Sequence, residues 1–356
     1  MLKKILISYH RFPSIAKDLS DALINSGVDV ELFYVDDYQT FFYKRIIKPI
    51  RKFFYYCGFK NISNKIFFDC KLDYSNFVTE NFKRKYEEFK PDMIFVIQGA
   101  PHSLQYISTL NVFKVGWWIE PSDEIEELLI NSSPFDFYYC FSLLSIDRLG
   151  KYKKNIGYMN HFVDRRIFRV LPDVSKKYDL VFVGNWSEWR DDVIRAVLSV
   201  TSNIVIYGPR WRSRSDISSN ILKKIHMGNH IEGQDLNLLY NKSKIVLNAA
   251  RKLGSNGLNM RFTEALSAGS FLVTDMVAEI PTHFLDGESL VVFQNLDDLK
   301  RLVNFYLKYD ARRNSIAING EKVINQNYDY SEFANKIIRL YSNHAINSSL
   351  ADQNIN

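Results

Sequence analysis

The sequence predicts an α/β protein of two domains, each built on an open and largely parallel sheet. Three observations predict it: the length, a strand–helix–strand opening, and the return of that pattern near residue 178. The chain has 356 residues, too many for one ordinary hydrophobic core and enough for two domains of about 150–200 residues. Residues 4–9 (K-I-L-I-S-Y) form a short buried strand. Ser14 is placed to cap a helix running to about Ser26, with Ile15, Leu19, Ala22 and Leu23 at helical spacing and Gly27 as its stop. Residues 28–35 return as a strand, and two strands joined by a helix run parallel. Residues 91–98 (P-D-M-I-F-V-I-Q), 113–119 and 135–141 read as further strands.

The second domain repeats the theme. Residues 178–184 (Y-D-L-V-F-V-G) are a strand ending in glycine, followed by a helix over about 190–199 and strands at 203–208 and 245–248. A helix over about 259–268 leads into a strand at 271–274, and the remainder, through 297–307 and 331–341, is mostly helical. The expected division is a first domain at 1–164, a charged link at 165–177 and a second domain at 178–330. A helix at 331–345 packs back on the first domain, and a polar, flexible tail occupies 346–356. Facing open sheets leave a cleft at the carboxyl ends of their strands, where such sheets bind ligands.

Composition excludes several classes. The net charge of +6 permits attraction to phosphates or an anionic surface without indicating nucleic acid. Cys57, Cys70 and Cys140 are far apart and show no Cys-x-x-Cys spacing, so neither a disulfide framework nor a zinc site is expected. The basic start at Met1–Lys4 precedes an apolar run too short for a signal peptide, and no stretch reaches the roughly 18–20 apolar residues that span a bilayer. A cytoplasmic protein, soluble or peripheral at the inner membrane face, is expected.

The densest chemistry lies at 254–269, G-S-N-G-L-N-M-R-F-T-E-A-L-S-A-G. Gly254 and Gly257 allow a tight turn, and the helix that follows directs its unpaired N–H groups and dipole at whatever lies in front, which suits a pyrophosphate. Arg261 and Glu264, three apart, share one face of that helix. Arg261 can neutralise phosphate charge, and Glu264 can accept from vicinal ribose hydroxyls. Spacing alone also fits a solvated ion pair on a surface helix.

The run from Asn259 to Asp275, N-M-R-F-T-E-A-L-S-A-G-S-F-L-V-T-D, resembles the donor-binding signature of GT-B glycosyltransferases of the group 1 kind, especially the CgeB-like (spore maturation protein-like) branch. Residues 179–190 (D-L-V-F-V-G-N-W-S-E-W-R), 206–211 (I-Y-G-P-R-W) and 318–330 fit in the same order. The resemblance implies two Rossmann-like domains about a central cleft and transfer of a sugar from a nucleotide diphosphate-sugar. That donor is a substrate, and no cofactor and no metal are implied. Glu264 would hold the donor ribose as the second Glu of a Glu-x7-Glu motif, whose first Glu falls on Asn256. Backbone amides at Gly257, Leu258 and Asn259 would meet the diphosphate, with Arg190 and Arg261 as cations. Gly184 and Asn185 belong to the first strand and loop of the donor domain. Gly208, Arg210 and Trp211 would lie near the base, on which the Trp211 ring would stack.

An acceptor hydroxyl needs a base from the first domain. Glu120, in W-I-E-P-S-D-E, and His102, in Q-G-A-P-H-S, both follow strands and are the leading candidates, ahead of His10 and His161. Each also fits an ordinary loop residue. His226 and His230 are four apart, but Gly228-Asn229 between them breaks a helix, so no metal pair is expected.

Residues 41–68 are rich in Lys, Arg, Phe and Tyr and contain no acid. Three readings stay open there: aromatics packed on the first sheet, docking to an anionic membrane, and contact with a nucleic-acid backbone. The acceptor is unidentified, and two alternatives stand beside the transferase. One is a nucleotide-sugar epimerase of the same architecture, and the other is a non-catalytic carbohydrate- or membrane-binding relative.

Overall fold

A computed structural model of the chain describes residues 1–11, 14–38, 41, 45–46, 49–50, 53–54, 57–59, 74–98, 102–119, 124–251 and 257–353. It divides into two compact units. The first comprises residues 1–140, 145–159 and 333–356, and the second residues 141–144 and 160–332. Among the described residues no helix is long and apolar enough to cross a membrane.

The first unit holds a six-stranded sheet of β1 (Lys4–Tyr9), β2 (Asp29–Tyr34), β3 (Met93–Ile97), β4 (Phe113–Trp118), β5 (Phe137–Cys140) and β6 (Ile156–Tyr158). The spatial order is β2-β1-β3-β4-β5-β6, and every pairing is parallel. The helix Ile15–Asn25 joins β1 to β2, as the spacing of its apolar residues predicts, and buries Ile15, Leu19 and Leu23. Strands β3 and β4 are almost wholly buried. That is why they read as continuous apolar runs rather than alternating ones.

The second unit holds β7 (Tyr178–Val183), β8 (Ile204–Tyr207), β9 (His226–Gly228), β10 (Ser243–Asn248), β11 (Leu272–Asp275) and β12 (Val291–Phe293). Its order is β12-β11-β10-β7-β8-β9, again all parallel. Leu180 and Phe182 face one core with Ile206, Leu247 and Val273, whereas Val181 faces another with Val246 and Phe262. This alternation is the two-residue period of a strand covered on both faces.

Three short edge strands were not foreseen: β6, β9 and β12, each of three residues. Runs of that length carry no readable period, and only pairing to a neighbour defines them. The stretch 165–177, expected as a link, lies inside the second unit. There the N–H groups of Arg169 and Leu171 donate to the side chains of Asn237 and Asn241. The last helix runs from Tyr330 to Gln353, reaching into the stretch 346–356 expected as a tail. Beyond residue 332 it belongs to the first unit, where Phe333 packs edge-on against Phe95 and Trp117.

Candidate functional site

In an open α/β sheet the strand order reverses at one point, and the crevice beyond the strand ends there is the natural ligand site. In the second unit that point lies between β7 and β10, and three of the expected site elements converge on it. The chain leaves β7 at Gly184-Asn185 and β10 at Ala249. Arg190, in the first turn of the helix Glu188–Leu198, joins the two exits. Its Nε and Nη2 donate to the Ala249 carbonyl at 3.0 and 2.9 Å, and its Nη1 donates to the Asn185 carbonyl at 2.9 Å. Burial lowers its pKa to about 10, so the guanidinium stays charged at neutral pH. Arg190, expected as a cation directed at phosphate, thus spends three of its N–H groups on main-chain carbonyls. Its guanidinium staples the two strand exits together.

The helix Met260–Ser267 opens onto the same place. Asn259 caps it, its Oδ1 accepting from Phe262 N–H at 3.1 Å, while its Nδ2 donates to Asn248 Oδ1 at the end of β10 at 3.0 Å. One side chain thus satisfies an orphan helix N–H and fixes the helix start to the switch point. Leu258 is buried beneath the turn. Gly257 has φ +92°, a left-handed conformation that favours glycine. Its N–H, expected to face a diphosphate, donates instead to Glu279 Oε2 at 2.8 Å. That expectation is corrected for this one amide.

Arg261 and Glu264 meet on one helix face as their spacing requires, Nη1 to Oε2 at 2.7 Å. The pair is not a solvated surface pair. The Glu264 side chain is only 7% exposed, and burial raises its pKa above the usual carboxylate range although Arg261 pulls it down.

Gly208 follows β8 with φ +141°, and a Cβ there would lie 2.0 Å from the Gly184 carbonyl oxygen. The exits of β7 and β8 therefore touch through bare main chain. Arg210 is exposed and left-handed, with φ 72°. Trp211 is the clearest correction. Its ring is fully buried in the core beside Phe182, and its indole Nε1 donates to the Gly184 carbonyl at 2.9 Å. An aromatic residue beside a glycine turn reads equally as a stacking platform or a core plug, and here it is the plug.

Glu120 and Asn256 lie outside the described residues. His102 is described, in the first unit, and the role expected of it is corrected. It is 7% exposed, its ring lies 4.4 Å from that of Phe82, and its Nε2 is hydrogen-bonded to Ser8 Oγ at 2.6 Å. Burial lowers its pKa to about 3, which makes it a weak base far from the neutral range that general-base catalysis favours. His10 bonds Asp36 at 3.0 Å, and the buried His161 packs against Phe141. His226 Nε2 is hydrogen-bonded to the Gly208 carbonyl and His230 pairs with Glu232, so the two rings serve different partners.

Two carboxylates escaped the sequence reading. Asp275, at the end of β11, accepts from Ala250 N–H at 2.9 Å and from Trp189 Nε1 at 3.1 Å, tying the β10 exit to its neighbour. Glu279 is wholly buried and accepts from Gly257 and Leu143 N–H groups. Asp275 closes the N-M-R-F…T-D run and could have been singled out there. Glu279 carries no signal beyond being an acid shortly after a strand.

Residues 165–339 match the family described as glycosyl transferase-like. Solved structures resemble almost the whole chain. Sucrose-phosphate synthase from Thermosynechococcus elongatus superposes with a TM-score of 0.70 at 10% identity, covering 97% of this chain and 99% of that one. Anabaena HepE in complex with UDP and glucose has a TM-score of 0.65 at 12% identity, covering 96% and 100%. A glycosyltransferase from Rickettsia africae has a TM-score of 0.65 at 10% identity, covering 96% and 98%. No curated protein matches the chain in sequence.

Proposed function

We propose that the chain, whose fold is that of GT-B glycosyltransferases and whose residues 165–339 match a glycosyl transferase-like family, is itself a glycosyltransferase and holds its donor as follows. The donor is a nucleoside diphosphate-sugar bound at the carboxyl ends of β7 and β10. One observation carries this reading: the Asn259-capped helix, with its Arg261–Glu264 pair, opens at the switch point of the second sheet. Helix dipole and N–H groups meet the diphosphate. Arg261 balances its charge and orients the Glu264 carboxylate toward the ribose hydroxyls. As the sugar leaves, negative charge grows on the diphosphate, and these groups stabilise it without a metal. HepE, whose structure contains UDP and glucose, supports a uridine nucleotide as the first donor to try. The N-M-R-F-T-E-A run supports a CgeB-like relationship, and Glu120 is the proposed base for the acceptor hydroxyl.

The test is turnover of a panel of nucleotide sugars, read as free nucleoside diphosphate. One donor is expected to be consumed, and Glu264→Gln is expected to lower kcat/KM about 100-fold or more by removing charge-assisted acceptance of the ribose hydroxyls. Epimer formation without an acceptor would replace this reading with the epimerase. Binding without turnover, with cell-extract acceptors present, would replace it with a non-catalytic relative.

We further propose that the enzyme works at an anionic membrane surface in the cytoplasm. Residues 41–68 include Lys44, Arg45, Lys48, Arg51 and Lys52 with no acid among them. Phe41, Phe53 and Phe59 are exposed at 77%, 65% and 52%. Cations interleaved in the sequence with exposed aromatic residues suit an anionic interface. Co-sedimentation with vesicles containing phosphatidylglycerol is expected, falling as salt rises and absent with phosphatidylcholine alone. Changing those five cations to serine should abolish it. Equal binding to both vesicle types would sink the idea.

A further inference from the structure

Glu279 is wholly buried, yet the donor site as described gives it no role. Its two carboxylate oxygens accept from two main-chain N–H groups distant in sequence, Oε1 from Leu143 and Oε2 from Gly257, each at 2.8 Å. Leu143 lies in the short stretch 141–144 that joins the second unit between two passages through the first. Gly257 is the left-handed turn before the helix Met260–Ser267. A second observation links the same two segments. The Phe141 ring lies so close over Gly257 that a Cβ there would come within 2.0 Å of a ring carbon. The turn is thus held by the Glu279 carboxylate and by the Phe141 ring, and both contacts involve the 141–144 stretch.

We propose that Glu279 is the positioning residue of the donor site, fixing the Gly257 turn and through it the direction of the N–H groups that open the helix. This rests on reading that helix as the diphosphate site. A carboxylate suits the task because it offers two acceptors and no donor, matching two N–H groups that need acceptors. An amide cannot replace it, since its NH2 would face one of the two N–H groups. Because the Gly257 N–H is engaged by Glu279, the diphosphate is met by the amides after it, and the carboxylate never touches the ligand.

The test is calorimetric titration with UDP of the full-length wild type, Glu279→Gln and Glu279→Asp. Glu279→Gln is expected to bind UDP about tenfold more weakly at unchanged stoichiometry, the effect of a misdirected turn rather than a lost contact. Glu279→Asp keeps both acceptors on a shorter arm and is expected to fall between the other two. If the residue were only a core anchor, the variants would lose melting temperature and binding stoichiometry while the Kd of the folded fraction matched wild type. That result overturns the proposal, as does failure of both variants to fold. A folded wild type that binds none of UDP, GDP or ADP overturns the donor reading itself, before any variant is compared.

Discussion

Arg261→Ala is expected to weaken UDP binding at least tenfold and to destabilise the protein more at pH 8 than at pH 5. The first effect follows from losing a cation beside the diphosphate. The second follows from what the substitution leaves behind. Glu264 is 7% exposed, and its recorded charge partner is Arg261 at 2.7 Å. Breaking a pair of this kind costs about 3–5 kcal/mol, because one charge stays buried and uncompensated. Burial already holds the Glu264 pKa above its ordinary value, and Arg261 is the main influence pulling it down. Without the guanidinium it rises further. A carboxyl whose folded pKa exceeds its unfolded one contributes stability below the unfolded value and loses it as pH rises through the folded value. The variant should therefore fall less far below wild type at pH 5 than at pH 8, because the lower pH favours the protonated carboxyl. Thermal melts at the two pH values, beside UDP titrations, measure both effects. Equal deficits at both pH values would clear Glu264 as the cause, and unchanged UDP affinity would remove Arg261 from the site.

Gly208→Ala is expected to have the larger effect on stability, about 3–5 kcal/mol, a sizeable share of the roughly 5–15 kcal/mol that holds a typical protein folded. Two independent penalties add. The residue adopts φ +141°, which L side chains rarely adopt, and its Cβ would lie 2.0 Å from the Gly184 carbonyl oxygen. The obstacle is main chain, so no side-chain rotation relieves it. Nor can Gly184 withdraw freely, since its N–H donates to the Tyr207 carbonyl and its carbonyl accepts from the Trp211 indole. Gly233→Ala is the control: φ there is +57°, but nothing lies within 4 Å of the added methyl, so the cost is about 1 kcal/mol. Denaturant unfolding of both variants checks the contrast. Similar losses in the two would show that conformation rather than contact governs Gly208.

The long elements were readable in the sequence because burial is imprinted on them directly, as helical spacing or as a largely apolar run. The helix Ile15–Asn25 and strands β1, β3, β4 and β7 all show it. The Arg261–Glu264 contact was readable because three residues of helix fix a shared face. What residue type and order do not encode is the fate of each polar or aromatic group after packing. Arg190 suits phosphate and carbonyls equally, and it was taken by the carbonyls of Asn185 and Ala249. Trp211 was taken by the core and His102 by Ser8. Glu279 was invisible because its value depends on Leu143 and Gly257, which only the fold brings to it.

The helix Tyr330–Gln353 has a consequence for how the protein is made. Its Phe333 supplies the ring that seats against Phe95 and Trp117, so the sheet of the first unit is finished by residues synthesised after the body of the second. Between Met159 and Phe333 the ribosome adds the body of the second unit, a delay on the order of ten to forty seconds at bacterial-like elongation rates. Throughout that interval an apolar face of the nascent first sheet waits without its cover. Chains that stop before Phe333 are therefore expected to aggregate more readily than chains that include it, which expression of the two lengths would check.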